Sequence, residues 1–536
     1  MKKFLTIIVL VALACMALAA RTQTRQPATK SRAQNPVRSP ATRATPTQAK
    51  PVAPATASPS PVVVNGGLNG GLCGCESGPL PEVIATVNGV NLSQLGIDER
   101  VKEKITELQK NVIDARQSEL NLQINTKLLA AEAKKRGRTT AKLLEEEIMS
   151  KVVEPTEAEA QAFYDANKEK INGEFQAVKA NVIGYLRGQR QDEQSKLLAD
   201  KLRASAQVKI LVPVPTPPAN AAERARVFAV VNGEQITSAD IEDALRPLIF
   251  RVQQETYHLR RNDVDLRIND ALLEQEAQKR KTTTNALLDA EINTKVKPVT
   301  EAEARTFYDQ NKGSITEDFA VIKDQLVQYL QDTQKQNLQS VFAAQLRQTA
   351  ALQVFLLAPE APVLKIATDD QPAKGNPAAP VTIVEFTDYQ CSSCANAQTT
   401  LDRLTAEYGD RVRLVVRDFP LEQHEHARKA AEAAEAARAQ GKYWEYAALL
   451  FANQTALSVD KLKEYATRAG LDRQKFDALL DSGQFAEKVQ QDLLDGLRLG
   501  VNSTPSFFIN GRISSDRTYE GLKAAIDKAL GEKGRK

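Results

Sequence analysis

The sequence predicts a multidomain protein in which two mainly α-helical repeats precede a C-terminal α/β domain that carries an inserted helical subdomain. Three observations predict this class. The 536 residues are too many for one ordinary domain, one long stretch occurs twice, and the hydrophobic pattern changes from helical to strand-like spacing at Val381. The net charge of +4 is close to balance for this length. We therefore expect no nucleic-acid partner.

The N-terminal residues have the pattern of an export signal. Two lysines precede an apolar run over residues 4–18, which ends in the small-x-small pattern Ala17-Leu18-Ala19. This predicts a signal peptide over residues 1–19 and a mature protein that is periplasmic or otherwise extracytoplasmic. A second interpretation stays open, because the Ala-Leu-Ala-Cys run that ends at Cys15 resembles a lipoprotein box.

Residues 20–82 are rich in Pro, Ala, Thr and Gly, which predicts a disordered tether because such a segment buries too little apolar surface to offset ordering. The tether contains Cys73 and Cys75, two of the five cysteines of the chain. A local disulfide, a link between two chains and a pair of free thiols all remain possible for this pair. Two sulfurs alone make a poor zinc site, and we expect no metal.

The stretch that occurs twice identifies an internal duplication. A shift of 144 residues aligns Ile84–Leu186 with Phe228–Leu330 without a gap, and 40 of the 103 aligned positions are identical. Each copy begins with a short strand and an Asn-Gly turn and then takes on helical spacing. Thr156 and Thr300 each precede a glutamate by three residues, the capping-box pattern of a helix start. The predicted modules are residues 83–213 and 227–357, with linkers at 214–226 and 358–375.

The pattern over residues 376–536 is that of an α/β domain. Strands are predicted at 381–386, 411–416 and 506–509, and helices at 395–408 and 521–530. Residues 424–495 between them are almost wholly helical, and His424 and His426 at their start are expected to cap or solvate a helix terminus. A strand–helix–strand unit, a helical insert, a strand pair and a final helix describe a thioredoxin fold with an inserted helical subdomain.

A single C-x-x-C motif, Cys391-Ser392-Ser393-Cys394, lies between the first strand and helix of this domain. Thiols two residues apart at a helix start can close a disulfide without backbone movement, and the helix N-terminus favours the thiolate of the outer sulfur. We therefore expect Cys391 to be the attacking sulfur and Cys394 the buried resolving sulfur. The alternatives are a structural disulfide or half of a metal site.

The residues around this motif resemble the DsbA family of thiol–disulfide oxidoreductases. The resemblance is carried in order by Glu385–Cys394, by Phe419-Pro420-Leu421, by Gln440–Trp444 and by Ser503–Gly511. It implies a cis peptide bond before Pro505, with Thr504 and Pro505 facing the active-site sulfurs, and Glu385 as a buried carboxylate that assists proton transfer. Ser392-Ser393 offers no histidine to hold a thiolate, so the direction of the reaction stays open.

The two repeats resemble chaperone–isomerases of the SurA type. The resemblance rests on the Val-Asn-Gly openings, on the Thr-Glu-Ala-Glu run with Phe-Tyr-Asp and Asn-Lys, and on the final Tyr-Leu pair of each copy. In that family a parvulin domain usually follows the Asn-Lys run, whereas only six residues separate Lys168 from Phe175 and Lys312 from Phe319. The resemblance therefore implies polypeptide binding without prolyl isomerase activity. The alternative is that both copies are only spacers.

These features together predict an exported enzyme that forms or shuffles disulfides in client proteins. Its helical modules would bind unfolded polypeptide, and a membrane or soluble redox partner would recycle the cysteine pair; no cofactor is expected. One alternative is a periplasmic chaperone or scaffold whose thioredoxin domain is structural only. Another is a disulfide isomerase or reductase, which would keep Cys391 mostly reduced.

Overall fold

The computed structural model describes residues 73–76, 79–171, 173–313, 315 and 317–533. The predicted signal peptide, Cys15 and residues 20–72 of the predicted tether lie outside this range. The described residues form two compact units, one of 113–250 with 360–533 and the other of 73–112 with 251–359. No helix within them combines the length and apolar character needed to cross a bilayer.

Each sequence copy contains a hairpin, a long helix, two short helices, a second long helix and a final short strand. In the first copy these elements are β1 (Val83–Val87), β2 (Val90–Ser93), α1 (Glu99–Lys135), α2 (Thr140–Glu147), α3 (Glu157–Asn167), α4 (Phe175–Ala204) and β3 (Val208–Ile210). In the second they are β4 (Val227–Val231), β5 (Glu234–Thr237), α5 (Ser238–Lys279), α6 (Thr284–Glu291), α7 (Glu301–Gln310), α8 (Phe319–Gln348) and β6 (Leu352–Val354).

The local signals of the duplication are present in both copies. Asn88 and Asn232 occupy the hairpin turns with φ angles of 48° and 50°, each followed by a glycine that is also at positive φ. Thr156 and Thr300 form complete capping boxes with Glu159 and Glu303. The hairpins and helix starts therefore form where the sequence predicts them.

The two copies exchange their final strands. β3, which ends the first copy, pairs antiparallel with β4 of the second, and β6, which ends the second copy, pairs antiparallel with β1 of the first. Each three-stranded sheet, in the orders β3-β4-β5 and β2-β1-β6, thus combines strands from both copies. The sequence repeats and the compact units therefore divide the chain differently.

The unit of residues 113–250 and 360–533 contains a buried ion pair between α1 and α5. Arg116, whose side chain is fully buried, donates to both carboxylate oxygens of Glu242 at 2.6 and 3.1 Å. Phe228 and Ile124 belong to the apolar core of the same region. A buried guanidinium needs such a partner, because removing either charge would leave the other unpaired.

Residues 73–76 of the predicted tether have a defined place in this structure. Cys73 and Cys75 are buried and are joined in a disulfide. Glu76 accepts hydrogen bonds from Arg260 at 2.7 and 2.8 Å and from Gln109 at 2.9 Å. The prediction of disorder through residue 82 is therefore wrong for these residues, because an ion pair and buried sulfurs fix them to the long helices.

The C-terminal domain is built on a five-stranded sheet in the order β11-β10-β8-β9-β7. Its strands are β7 (Ala373–Gly375), β8 (Val381–Thr387), β9 (Val412–Asp418), β10 (Ser506–Ile509) and β11 (Arg512–Ile513). β8 and β9 are parallel, and β10 runs antiparallel to β8. Residues 358–375 were predicted as a linker, yet β7 lies within them and pairs antiparallel with β9.

Seven helices complete this domain among the described residues. They are α9 (Ser392–Tyr408), α10 (Ala427–Arg438), α11 (Tyr443–Ala452), α12 (Val459–Arg468), α13 (Arg473–Asp481), α14 (Ala486–Arg498) and α15 (Tyr519–Lys533). α10 to α14 lie in the chain between β9 and β10, where the sequence predicts a helical insert. Val381 and Ile383 of β8 join the core that these helices share with the sheet. The chain passes from this core to the surface between the end of β8, where Thr387 is buried, and the start of α9, where Ser392 and Ser393 are exposed.

Candidate active site

Cys391 occupies the N-cap position of α9, directly after β8 and a short turn. Its carbonyl accepts hydrogen bonds from the backbone of Cys394 at 3.0 Å and Ala395 at 3.2 Å, so the C-x-x-C motif forms the first turn of the helix. Cys391 is half-buried and Cys394 is fully buried. The structure therefore presents one sulfur to solvent and encloses the other, as the sequence predicts.

The peptide bond between Thr504 and Pro505 is cis, as the DsbA resemblance implies. Antiparallel pairing of β10 with β8, in which Ser506 lies opposite Phe386, brings this loop to the end of β8 that carries the cysteines. The Cys391 thiol lies 3.6 Å from the carbonyl oxygen of Thr504. The cis-proline loop therefore lies directly beside the half-exposed sulfur.

Glu385 lies on β8 with its side chain in the core, and its exposed fraction is 1%. Burial raises the pKa of this carboxyl to about 7, although a hydrogen bond from Gln398 counteracts part of the rise. Gln398 donates to the two carboxylate oxygens at 3.1 and 3.4 Å and to the carbonyl of Cys394 at 3.3 Å. A carboxyl with a pKa near 7 can accept or return a proton at neutral pH.

The thiol of Cys394 has a pKa well above its ordinary value. Burial is the largest cause, and the polar side chain of Thr504 acts against it. The negative charge of Glu385 raises the pKa further, whereas the polar groups of Asp388 and Thr387 lower it. Cys394 is therefore a protonated thiol that requires a base before it can attack a disulfide, and Glu385 is the buried group that interacts with it electrostatically.

The turn in front of Cys391 is held by residues that the sequence analysis did not assign to the site. Asp388 accepts a hydrogen bond from the backbone N–H of Gln390 at 2.7 Å, and its other carboxylate oxygen lies 2.8 Å from Nδ1 of His424. Gln454, which follows α11, donates to the carbonyls of Tyr389 at 2.9 Å and Cys391 at 2.8 Å. These contacts fix the backbone that carries the exposed sulfur.

The expectation that His424 and His426 cap or solvate a helix start is wrong in its capping part. Neither side chain caps α10, since His426 occupies the N-cap position without a side-chain hydrogen bond to the helix. His424 binds Asp388 instead. Only Gln398 carried a local signal that could have revealed its role, because it lies four residues after Cys394 on the same helical face.

The C-terminal domain matches a known family model. The family model described as Thioredoxin matches residues 367–528, a range that contains both cysteines, Glu385 and Pro505. The C-terminal part of this chain is a thioredoxin-like domain. The match covers less than a third of the chain, so it leaves both helical repeats outside it.

The chain matches only a minor part of the length of its curated relatives. The chain is 41% identical over 139 residues to the Na(+)/H(+) antiporter NhaA of Herminiimonas arsenicoxydans, which covers 26% of this chain and 22% of that protein. It is 37% identical over 171 residues to the Na(+)/H(+) antiporter NhaA 1 of Salinispora arenicola, with 31% and 26% covered. The chain thus spans about a quarter of the length of these relatives.

Solved structures similar to the chain cover about a third of it. Oxidised BdbD from Bacillus subtilis is 24% identical, with 32% of this chain and 100% of that chain covered and a TM-score of 0.30. A thioredoxin-like oxidoreductase from Silicibacter pomeroyi is 30% identical, with 30% and 94% covered and a TM-score of 0.28. Wolbachia pipientis α-DsbA1 is 20% identical, with 31% and 94% covered and a TM-score of 0.29.

Proposed function

We propose that this protein is an exported thiol–disulfide oxidoreductase of the DsbA type that forms or shuffles disulfide bonds in client proteins. The observation that carries the proposal is the arrangement of Cys391 and Cys394. A half-exposed sulfur at a helix N-terminus lies beside a cis X-Pro loop, while its partner is buried next to Glu385. A disulfide that only stabilised the fold would require neither an exposed sulfur nor a buried carboxyl with a pKa of about 7.

Oxidation of a client proceeds through two exchanges. A client thiolate attacks Cys391 of the Cys391–Cys394 disulfide, which forms a mixed disulfide and releases the Cys394 thiolate. Glu385, when protonated, returns a proton to that thiolate. The second client thiolate then attacks the client sulfur of the mixed disulfide, so the client gains a disulfide and Cys391 leaves as a thiolate beside the Cys394 thiol. A membrane or soluble redox protein then accepts the two electrons and restores the pair.

The proposed compartment follows from the same chemistry. Disulfides persist outside the cytoplasm, where clients with paired cysteines fold. The predicted export signal over residues 1–19 supports a periplasmic or otherwise extracytoplasmic enzyme, and attachment through Cys15 is the alternative form of the same location. The clients we propose are unfolded or cysteine-containing exported proteins.

The test of the redox proposal is a trap for mixed disulfides. Cys394→Ala leaves Cys391 without its resolving partner, so client proteins should accumulate in covalent complexes that a reductant dissolves. The matched control, Cys391→Ala with Cys394 intact, should trap none. Absence of complexes in the first variant would contradict the proposal. It would favour a structural domain, in which case Cys391→Ser would also leave the phenotype unchanged.

The direction of exchange has its own measurement. An oxidase should hold Cys391 mainly in the disulfide form in the cell, whereas an isomerase or reductase should hold it mainly as a thiol. Alkylation of free thiols in freshly acid-quenched cells separates these two outcomes. Oxidation is the direction we propose, because the compartment is oxidising.

We further propose that the helical repeats bind unfolded polypeptide. The supporting observation is a pair of equivalent apolar surfaces, one in each copy. Tyr185 and Tyr329 are each 54% exposed and lie against Phe163 and Phe307, with ring centroids 5.2 and 5.5 Å apart. Exposed aromatic groups of this kind are suited to contact apolar segments that folded proteins bury.

This second proposal is tested by replacing Tyr185 and Tyr329 with serine in one chain. The variant should protect an aggregating, cysteine-free polypeptide less well than wild type, because both aromatic contacts are lost. Val459→Ser, at a 40% exposed position of the thioredoxin-like domain, is the matched apolar-to-polar control and should protect fully. Equal protection by all three proteins would indicate that the repeats act as spacers.

A further inference from the structure

The turn formed by Asp388–Cys391, named here the active-site turn, joins β8 to α9 and sets the position of the exposed sulfur. Asp388 holds it in two ways. Its carbonyl accepts the backbone N–H of Cys391 at 3.1 Å, and its carboxylate accepts the backbone N–H of Gln390 at 2.7 Å. The orientation of one carboxylate therefore controls the backbone next to Cys391.

The carboxylate of Asp388 is almost completely buried, with 1% of the residue exposed. Its second oxygen accepts the backbone N–H of Leu421 at 2.8 Å and contacts Nδ1 of His424 at 2.8 Å. A carboxylate oxygen that already accepts a backbone N–H faces this ring nitrogen, so we assign Nδ1 as the donor. His424 is the side chain that supplies a donor to Asp388, since the other two donors are backbone groups.

The loop after β9 thus forms several hydrogen bonds with the active-site turn. Besides His424, the backbone N–H of His426 donates to the side chain of Gln390 at 2.9 Å. The side chain of His424 remains 24% exposed, so it reaches from the buried carboxylate to the surface. A substitution of His424 can therefore remove this contact without leaving a cavity in the core.

We propose that His424 is a positioning residue for thiol–disulfide exchange, which by donating from Nδ1 to Asp388 fixes the carboxylate that holds Cys391 at the tip of α9. The inference rests on the proposed redox function of that site. Without the imidazole, Asp388 keeps only backbone donors and its carboxylate can rotate, so the N–H of Gln390, next to Cys391, loses its fixed acceptor. The stability of the Cys391 thiolate relative to that of the disulfide then differs from its value in the wild type.

The experiment compares His424→Asn with His424→Asp in the full-length protein. The two replacements have the same shape, but asparagine can place a donor where Nδ1 was, whereas an ionised aspartate offers only acceptors. The readouts are the equilibrium constant of the Cys391–Cys394 couple with glutathione and the rate of Cys391 alkylation by iodoacetamide. Neither readout requires a client.

His424→Asp should change both quantities by about tenfold, the scale of one hydrogen bond to a charged group, and His424→Asn should stay near wild type. His426→Ala is the matched control, because that substitution retains the backbone N–H that binds Gln390, and it should also stay near wild type. Equal behaviour of the asparagine and aspartate variants would overturn the proposal.

Two further outcomes are also decisive. If the aspartate variant fails to fold while the asparagine variant folds normally, the contact is structural and the positioning role is wrong. If wild type itself does not exchange with glutathione, the proposed function fails rather than this inference. Thermal unfolding of each variant, recorded alongside the redox measurements, separates these results.

Discussion

At the scale of single residues, the site depends on one acid whose environment changes its chemistry. Glu385 is excluded from water by the sheet and by α9, and burial raises its pKa to about 7. Other carboxyls of the same domain, such as that of Glu445 on α11, are exposed to solvent. Ionising this buried acid therefore costs free energy. The same burial gives it the pKa that suits a proton carrier beside Cys394.

Glu385→Gln should make the protein more stable at alkaline pH. The folded-state pKa of about 7 lies above the ordinary value of 4.5, so the folded chain binds a proton more tightly. The stabilisation that protonated Glu385 contributes is therefore complete below pH 4.5 and is lost as the pH rises through about 7, and it amounts to about 3 kcal/mol. The variant should gain about that amount near pH 8 and little near pH 4, as measured by urea unfolding.

The control for this prediction is Glu445→Gln, which removes a charge from an exposed position of the same domain. Its stability difference from wild type should be small and similar at both pH values. If Glu385→Gln showed the same small, pH-independent difference, Glu385 would have an ordinary pKa. Its proposed part in proton transfer would then be wrong as well.

At the scale of elements, the two copies repeat the same helix start with the same hydrogen bonds. Thr156 accepts the backbone N–H of Glu159 at 3.2 Å, and Thr300 accepts that of Glu303 at 3.2 Å. In both boxes the glutamate side chain reaches back to the backbone of the threonine, at 2.7 and 2.8 Å. Four residues that are adjacent along the chain suffice for this structure, which is why the sequence predicts it.

Thr156→Ala and Thr300→Ala should each destabilise their helix by about 1 kcal/mol, because an N–H group of the first turn loses its acceptor. Hydrogen exchange of α3 and α7 measures this locally, so other parts of the chain do not mask the effect. Thr156→Ser and Thr300→Ser retain the hydroxyl and should exchange nearly as slowly as wild type. Indistinguishable alanine and serine variants would show that the caps contribute little.

At the scale of the whole molecule, the exchange of strands makes the two copies depend on each other. β3 completes a sheet whose other strands belong to the second copy, and β6 does the same for the first. The backbone N–H of Leu211 donates to Phe228 at 2.8 Å, and at the equivalent place that of Phe355 donates to Ile84 at 2.9 Å. Neither copy therefore contains a complete sheet by itself.

A chain cut between the copies should remain associated. A protease site inserted in the linker 214–226 would give two fragments that share both three-stranded sheets, so they should coelute in size-exclusion chromatography and separate only in denaturant. Leu211→Pro with Phe355→Pro removes the two equivalent backbone donors, and fragments of that variant should separate at a lower urea concentration. Separation of the wild-type fragments without denaturant would contradict the exchange.

Some features of the candidate site could be predicted from sequence and others could not. Cys391 and Cys394 could be placed at a helix start because a strand, a C-x-x-C motif and a helix follow one another along the chain. The short strand β7 was missed, since Ala373-Lys374-Gly375 has no alternation of apolar residues and forms by pairing with β9. His424 and Gln454 were missed because they lie 36 and 63 residues from their partners Asp388 and Cys391.

The sequence by itself determined the duplication, the hairpin turns, the helix caps and the cysteine motif, because each of these depends on residues that are neighbours along the chain. The tertiary structure alone decided which copy supplies the last strand of each sheet. Nearly equivalent strands offer the same local pairing signals within a copy and between copies, so the choice between them depends on contacts of residues far apart along the chain. It also decided which distant side chains hold the active-site turn, since the strand order sets that proximity.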